Sequence, residues 1–276
     1  MNSNYYKYIL QKRALYQRLN LTLPETFNNM PKKEKKNIIQ LHDIDYTTLL
    51  NKNLNINDIR DEYSIKKRIS IKDIFDSSFA ILFYKTIIKI PSSAWNIVCG
   101  VENTKYEKPL TKKNKKSNDD NAKKARKTFG EDGFSYIFYR TMCNEKVRFL
   151  PEKTMRNLLM SPYFMDLIYK ITDIKVTQLN QVFLSKYKSG NFLAPHSDIN
   201  NGKIAFVFNF SVNWKPQYGG VLHFLSEDRT SIIDSFVPMF NSMMIFEIPK
   251  DGIPHFVSHI APNVKRSRYA LTGWYS

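Results

Sequence analysis

The stretch that decides the fold is Tyr187-Lys-Ser-Gly190-Asn-Phe-Leu-Ala-Pro-His196-Ser-Asp198. It predicts a strand, a glycine turn and an extended segment that ends in a His-x-Asp pair. In extended backbone, residues two apart project to the same side, so His196 and Asp198 can converge on one metal ion. Two histidines and one carboxylate on one face of an ion leave three positions open, which is the arrangement that non-haem iron uses.

A third ligand has to come from another part of the chain. His255 is a candidate because it precedes a strand-like segment, and His259 competes with it. His223 lies in a further strand-like run and is more typical of a structural or substrate-facing residue than of a ligand. A His-x-Asp pair alone is weak evidence, since so short a motif often occurs by chance.

The second half of the chain has the pattern of a β-domain. Short strand-like runs separated by Gly, Pro and Asn turns are predicted at 178–187, 204–212, 221–225, 231–234, 242–248 and 267–275. A further strand at 134–139 and helices at 73–90 and 152–171 precede most of them. The prediction is an α+β fold in which a sandwich or barrel is flanked by helices.

The first part of the chain predicts a separate region. Residues 1–66 look helical and polar and carry no chemical motif, so we expect a helical N-terminal appendage ahead of a domain at 67–276. Within that domain, residues 105–127 carry ten basic and three acidic residues with almost no apolar content. Such a run is typical of a mobile, solvated loop, with anion binding as the alternative.

Composition restricts the partners and the compartment. The formal net charge of +17 favours an anionic partner, although it equally suits a lysine-rich solubilising surface. Two cysteines, Cys99 and Cys143, cannot build a disulfide framework. The first 13 residues lack the apolar core of a secretory signal, and lysines interrupt the most apolar stretch, 79–90, which is too short to span a bilayer. We therefore expect a soluble, intracellular, cytoplasmic protein without a transmembrane segment.

Further motifs follow the His-x-Asp pair in a fixed order. They are Trp214-Lys-Pro-Gln-Tyr-Gly219-Gly220-Val-Leu-His-Phe, Pro238-Met-Phe-Asn241, His255-Phe-Val257-Ser-His-Ile260 and Arg268-Tyr-Ala-Leu-Thr-Gly-Trp274-Tyr275. Together the segments resemble the prolyl 4-hydroxylase-like branch of the Fe(II)- and 2-oxoglutarate-dependent dioxygenases. The likeness is nearest to the ribosomal-protein and hypoxia-inducible-factor prolyl hydroxylases. It is dense over 178–276, faint over 68–171 and absent before.

The resemblance implies a double-stranded β-helix, which is a jelly-roll barrel, with iron at one mouth. It implies Fe(II), 2-oxoglutarate and O2 as cofactor and co-substrates, with ascorbate as a candidate reductant. Carried over by motif, the metal ligands are His196, Asp198 and His255. His255 is preferred to His259 because it leads a His-x-Val-x-x-Ile pattern similar to that of the family.

The resemblance also assigns the co-substrate pocket. Arg268 matches the residue that binds the distal carboxylate of 2-oxoglutarate, and Tyr187 matches a tyrosine that hydrogen-bonds the co-substrate. Strand alternation puts Thr272 and Trp274 on the side of Arg268, so Thr272 joins the co-substrate site. The candidate substrate-pocket residues are Trp274, Asn209 and His223.

Arg268 competes with two neighbouring basic residues for the co-substrate. Lys265 and Arg266 lie in a turn-like segment, where a solvated charge is expected. Arg268 begins an apolar strand, where an unpaired charge is costly, so it requires an anion. A guanidinium offers a carboxylate two parallel donors and stays charged inside a barrel.

Three functions remain open from the sequence. The first is hydroxylation of a prolyl residue in a protein or peptide, and the second is hydroxylation of a small or carrier-linked molecule, such as a free amino acid or an acidic sugar. The third is a non-catalytic jelly roll that binds nucleic acid or ribosomes. Asp198 favours hydroxylation over halogenation, because halogenases of this class have a small residue at that position. Trp274 stands where the nucleic-acid demethylases usually have a second arginine, which argues against repair of alkylated bases.

Overall fold

The computed structural model describes residues 45–131, 133–142 and 150–276. The chain divides into two units, Met1–Asn53 and Leu54–Ser276. The described part of the first unit contains a short 3-10 turn, Tyr46–Thr48, which Asp45 caps by accepting a 2.9 Å hydrogen bond from the backbone N–H of Thr47. Most of the predicted appendage, like Cys143, lies outside the described residues.

The described part of the second unit contains five α-helices: α1 (Ile56–Lys66), α2 (Ser77–Ile87), α3 (Lys115–Gly130), α4 (Leu150–Met160) and α5 (Pro162–Thr172). Side chains at the helix starts explain where several of them begin. Asn55, Asp76 and Ser161 accept hydrogen bonds from the first free backbone N–H groups of α1, α2 and α5. The unit that contains α1 begins at Leu54, and the domain boundary predicted after residue 66 stays a prediction.

Twelve strands are described, and every pairing between them is antiparallel: β1 (Arg68–Ile71), β2 (Asn96–Val101), β3 (Thr104–Pro109), β4 (Ser135–Met142), β5 (Leu179–Tyr187), β6 (Phe192–His196), β7 (Ile204–Asn209), β8 (Leu222–Leu225), β9 (Ile232–Phe236), β10 (Ser242–Glu247), β11 (His255–Val257) and β12 (Arg268–Tyr275). Their order is β1-β10-β7-β12-β5-β4-β6-β11-β8-β9, with β2 on β4 and β3 on β2. The strands form a nearly closed barrel, and the predicted double-stranded β-helix is confirmed.

Alternation along the strands separates two apolar layers. One buried cluster joins the facing strands of the barrel: Val98, Phe138, Phe183, Tyr187, Ala205, Leu222, Phe224, Met244, Phe246, Val257 and Ile260. The opposite face of β7 packs against helices, since Phe208 lies 5.0 Å from Phe75 just before α2 and 6.1 Å from Phe164 in α5, measured between ring centroids. The helices therefore cover the outside of the barrel and leave its interior for a site.

The prediction of a mobile loop over residues 105–127 is wrong. This segment forms most of β3 and most of α3. Two alanines, Ala122 and Ala125, are buried on one side of α3 against a cluster that includes Phe192 from β6. The Tyr106 hydroxyl also donates a 2.7 Å hydrogen bond to Asn118. Small apolar side chains at helical spacing therefore suffice to fix this helix, while its basic residues remain exposed.

None of the described helices is both long and apolar enough to cross a membrane.

Asn241 joins the barrel to the chain segment that leads into α2. Its backbone is left-handed, with φ 59°, and its side chain is buried. The side-chain oxygen accepts a 3.1 Å hydrogen bond from the N–H of Phe75, and the side-chain amide donates to the Phe75 carbonyl at 2.9 Å. The carbonyl of Asn241 accepts from the N–H of Ile74 at 3.1 Å. One side chain thus satisfies both backbone polar groups of a buried residue.

We predict that Asn241→Ala lowers the free energy of unfolding by about 3 kcal/mol or more. It leaves two buried backbone groups without partners, at roughly 1–3 kcal/mol each, and adds the strain of a left-handed alanine. The matched control is Asn263→Ala, because Asn263 is exposed and also left-handed, with φ 64°. That variant should lose only about 1 kcal/mol in urea denaturation. Equal losses in the two variants would contradict the role of the Asn241 side chain.

Candidate functional site

Two antiparallel strands bring the His-x-Asp pair and His255 together. His196 ends β6, and His255 begins β11 directly opposite it in the strand register. Asp198 Oδ1 lies 3.7 Å from His196 Nε2, and Asp198 Oδ2 lies 3.5 Å from His255 Nε2. One ligand atom of each residue lies within 4.8 Å of the others, and no other such His/Cys/Asp/Glu group occurs in the part of the chain that the structure describes.

Backbone carbonyls orient both imidazoles. His196 Nδ1 lies 3.0 Å from the Ala194 carbonyl oxygen, and His255 Nδ1 lies 2.9 Å from that of Ile253. A carbonyl can only accept, so each Nδ1 donates its proton to it, and each Nε2 faces the centre of the group. Burial, reinforced by the neighbouring His255, lowers the pKa of His196 to about 4. The imidazole of His196 is therefore neutral near pH 7 and can act as a donor to a metal.

Asp198 supplies the negative charge of the site. Burial by itself raises the pKa of the carboxyl, but hydrogen bonding and the charge of His255 outweigh it and lower the pKa to about 2. Trp274 Nε1 donates to Oδ2 at 2.9 Å, and Asn201 Nδ2 donates to Oδ1 at 3.1 Å. Two imidazole nitrogens beside one ionised carboxylate, without a thiolate, form a donor set that suits Fe(II).

Arg268 is a buried cation without a described partner. It begins β12 opposite Tyr187, is 4% exposed, and its guanidinium lies over the Tyr187 ring, 5.1 Å from the centroid. Its Nε has no hydrogen-bond partner, and it forms no ion pair with any carboxylate among the described residues. Burial lowers the pKa of the guanidinium. A buried cation is costly unless an anion compensates it, so the surroundings of Arg268 favour a carboxylate ligand.

Gly220 makes room for this arginine. Its backbone has φ 65°, and a Cβ at this position would lie 2.9 Å from Arg268 Cδ and 2.5 Å from Ile260 Cδ1. A side chain here would therefore strain the turn and displace the arginine.

The arginine and the triad share the inside of the barrel. Alternation along β12 puts Arg268, Thr272 and Trp274 on one face, and Trp274 reaches Asp198. In the strand register, Thr272 lies opposite Phe183 on one side and Val207 on the other. Stacked rings fill the wall between the two charged groups: Phe138 lies 5.2 Å from Tyr187 and 6.3 Å from Phe183, measured between ring centroids.

Burial raises the pKa of Tyr187 to about 12, so its phenol keeps its proton. It can therefore donate a hydrogen bond to a ligand that reaches Arg268. Asn209 is buried on β7 opposite Ala270 and donates to Ser242 Oγ at 3.2 Å, while its Oδ1 has no partner. The predicted pocket role of Asn209 stays a prediction.

The predicted pocket role of His223 stays a prediction, and its contacts lie away from the triad. His223 and Phe224 are neighbours in β8, so their side chains lie on opposite faces of the strand. The Phe224 ring faces the inside of the barrel, where it lies 5.6 Å from the His255 ring. The His223 ring stacks on Phe256 and its Nδ1 is hydrogen-bonded to Ser235 Oγ at 2.7 Å. Strand alternation therefore turns this histidine away from the triad.

The alternative candidates for the third metal ligand and for the co-substrate arginine lie outside the barrel interior. The His259 ring stacks on Phe192, 4.2 Å away, instead of joining the triad. Lys265 and Arg266 are exposed, and Arg266 donates a hydrogen bond to the Val212 carbonyl at 3.5 Å. The structure thus brings His255 and Arg268, rather than these neighbours, to the interior.

The sequence did not reveal the hydrogen bonds that hold Asp198. Trp274 was assigned to the substrate pocket, and alternation correctly placed it on the inner face of β12. Its partner lies 76 positions away, and no local pattern reveals such a pairing. The contact of Asn201 with Asp198 could have been predicted from the sequence, because the two residues are three positions apart, which is the spacing of a local side-chain contact.

Comparison with known proteins agrees with this geometry. Residues 182–276 match the model of the 2OG-Fe(II) oxygenase superfamily. The matched segment begins within β5 and contains all three triad residues and Arg268. No curated protein matches the sequence.

Two solved structures show the same fold. The first is an oxidoreductase of the 2OG-Fe(II) oxygenase family from Burkholderia pseudomallei, with 11% identity and a TM-score of 0.55; the match covers 81% of this chain and 92% of that one. The second is a prolyl hydroxylase from Trichoplax adhaerens in complex with a peptide fragment of the hypoxia-inducible-factor oxygen degradation domain. It has 14% identity and a TM-score of 0.52, and the match covers 80% of this chain and 88% of that one.

The barrel, the His-Asp-His group and the family match define an oxidoreductase that uses Fe(II) and 2-oxoglutarate. Residues 182–276 are similar to the 2OG-Fe(II) oxygenase superfamily, and this match together with the triad supports a 2-oxoglutarate/Fe(II)-dependent dioxygenase, as the sequence predicts. The predicted non-catalytic jelly roll is therefore not the function of this barrel.

We predict that Trp274→Phe weakens divalent metal binding by about 10-fold or more while the protein stays folded. The substitution keeps an aromatic ring beside Phe183 but removes the N–H that holds Asp198, and loss of such a supporting hydrogen bond typically costs 10- to 100-fold. Anaerobic calorimetry with Mn(II) measures the effect.

Trp214→Phe is the matched control, because its indole N–H donates at 2.9 Å to the Gly219 carbonyl and not to the triad. Its metal affinity should equal that of the wild type. An unchanged affinity in Trp274→Phe, or an equal loss in both variants, would refute a specific role of the Trp274–Asp198 hydrogen bond.

Proposed function

We propose that this enzyme hydroxylates a prolyl residue in a protein or peptide. In the proposal, His196, Asp198 and His255 hold Fe(II), and Arg268 holds 2-oxoglutarate. One observation carries it: an oriented His-Asp-His group and a buried arginine that pairs with no carboxylate of the described residues lie in the same barrel interior.

Hydrogen bonds already fix the three side chains of the triad in positions that suit a metal ion. The backbone carbonyls hold the ring positions, and Trp274 and Asn201 hold the carboxylate, so little ordering is needed on binding. Three protein ligands leave positions for a chelating co-substrate and for oxygen. Bound together, Fe(II), 2-oxoglutarate and O2 supply the oxidation, in which one oxygen atom enters a C–H bond and the other enters succinate as CO2 leaves.

The arginine supplies the second anchor. A guanidinium offers two parallel N–H donors to one carboxylate, which fixes the position and the orientation of a diacid. Tyr187 lies against this guanidinium and can donate its phenol proton, and Thr272 follows on the same inner face. The stacked rings of Phe138, Phe183 and Tyr187 keep the wall between the anchors apolar, which excludes water from the reaction.

A prolyl substrate is supported by the motif resemblance over 178–276, and the enzyme of similar fold that was solved with a peptide makes a peptide substrate reasonable. The alternative is a small or carrier-linked molecule, such as a free amino acid or an acidic sugar. Ascorbate as reductant remains a prediction.

Mass spectrometry tests the reaction and its substrate together. The enzyme is incubated with Fe(II), 2-oxoglutarate and panels of proline peptides, free amino acids and sugar acids, with and without ascorbate, and succinate is measured in parallel. We expect a one-oxygen gain on a proline peptide with matching succinate. A gain confined to an amino acid or a sugar acid would overturn the prolyl assignment but not the oxygenase.

Substitutions test the assigned residues. His196→Ala and Asp198→Ala should abolish succinate formation without unfolding the protein, whereas His259→Ala, which removes an imidazole outside the triad, should retain it. Arg268→Ala should raise the 2-oxoglutarate requirement roughly 100-fold or more, since truncating one partner of a buried charge pair costs about 2–5 kcal/mol. Arg266→Ala should leave it unchanged. Full turnover in His196→Ala or Asp198→Ala would remove the ligand assignment.

A further inference from the structure

A strongly basic surface lies on α3 and on the hairpin formed by β2 and β3. Residues 104–131 contain ten basic and four acidic residues, so about a tenth of the chain carries a net charge of +6 out of +17. Three of the basic side chains form ion pairs, with Glu107, Asp119 and Glu131. The others form no ion pair with any described carboxylate: Lys108, Lys112, Lys113, Lys116, Lys123, Lys124 and Arg126.

Packing against the barrel fixes the position of α3 and of its basic side chains. Ala122 and Ala125 bury one side of α3 against β2 and β4. The helical period places Lys116 and Lys123 on the opposite, exposed side, with Lys124 at its margin. Sixteen residues of helix extend for about 24 Å, which is the length of several phosphates of a nucleic-acid strand.

A cleft continues the basic surface between α3 and the hairpin. It has a volume of about 230 Å³, and Lys105 and Lys124 line it together with Thr104, Tyr106 and Asn121. The two ammonium groups and the neighbouring polar side chains can donate hydrogen bonds to a phosphate that enters the cleft.

The side chains on this surface favour a nucleic acid over a membrane or a protein as the anionic partner. A helix that binds a membrane surface needs an apolar face to insert, and a protein interface needs aromatic anchors. The partly exposed Phe129 instead packs its ring on Phe192 and His259, at 4.7 and 4.5 Å. The outward side of α3 offers lysines without apolar neighbours, and lysines spaced along a backbone are what sequence-independent nucleic-acid binding requires.

We propose that α3 and the β2–β3 hairpin bind the phosphate backbone of a nucleic acid without reading its sequence. The chain runs from α3 into β4 through Phe134, whose ring lies 6.4 Å from that of His196. A bound nucleic acid would therefore lie near the mouth of the site, where it would favour substrates that are themselves associated with nucleic acid. The binding does not depend on which C–H bond the enzyme oxidises.

Fluorescence anisotropy with a labelled single-stranded RNA of about 20 nucleotides tests the proposal on the full chain. The variant Lys116→Gln/Lys123→Gln/Lys124→Gln removes three charges from the surface and keeps good helix formers. The matched control, Lys72→Gln/Lys89→Gln/Lys250→Gln, removes three exposed lysines from other parts of the fold, so both variants have the same net charge.

We expect the wild type to bind RNA with an affinity that falls steeply with salt. The surface variant should lose about two units of the slope of log affinity against log salt, which corresponds to a loss on the order of 100-fold at 0.1 M salt. The control should lose less than a few-fold. Equal losses in the two variants would show a general charge effect and overturn the proposal, as would an RNA affinity that does not respond to salt.

Two further titrations test a membrane surface and an acidic protein as alternative partners. Vesicles with 30% phosphatidylserine and a polyglutamate peptide of matched charge are titrated in the same buffer. Tighter binding of either than of RNA, with the same dependence on α3, would overturn the assignment to nucleic acid. Mn(II) affinity, measured in both variants, should stay at the wild-type value, so a failure of RNA binding is distinguishable from a failure of the metal site.

Discussion

The ionised carboxylate of Asp198 between the imidazoles of His196 and His255 is the interaction on which the site depends. The antiparallel pairing of β6 with β11 sets His196 opposite His255, and the extended backbone after β6 turns Asp198 toward both. Trp274 on β12 and the Ala194 and Ile253 carbonyls hold these groups in place. A divalent cation compensates a carboxylate that would otherwise be costly to bury, so the strand pairing and the metal site support one another.

Arg268 is the complementary constraint at the other end of the same strand. It is buried, stacked on Tyr187 and without a described anion, so the barrel carries a positive charge that a diacid can neutralise. β12 holds both ends of the pocket, because Arg268 begins it and Trp274 near its end reaches Asp198. An error in the register of this strand would move both contacts to the wrong face.

The sequence predicted the barrel because alternating strands and turn residues are local signals, and it predicted the His-x-Asp pair because two residues two apart share a face. It did not predict α3, since a few small apolar residues among many lysines give a weak helical pattern. It could not place His223 relative to the triad, because a strand shows its alternation but not which face is inner. The bond from Trp274 to Asp198 joins distant segments, so only the fold could reveal it.

The most direct test of the central claim is anaerobic calorimetry of 2-oxoglutarate binding to metal-free and Mn(II)-loaded protein. If the triad and Arg268 form one site, the co-substrate bridges metal and guanidinium, so loading the metal must tighten 2-oxoglutarate binding, at one site per chain. We predict an increase of at least 10-fold in wild type and none in Asp198→Ala. Equal affinity with and without metal in the wild type would contradict the account, because the two anchors would then not hold the same ligand.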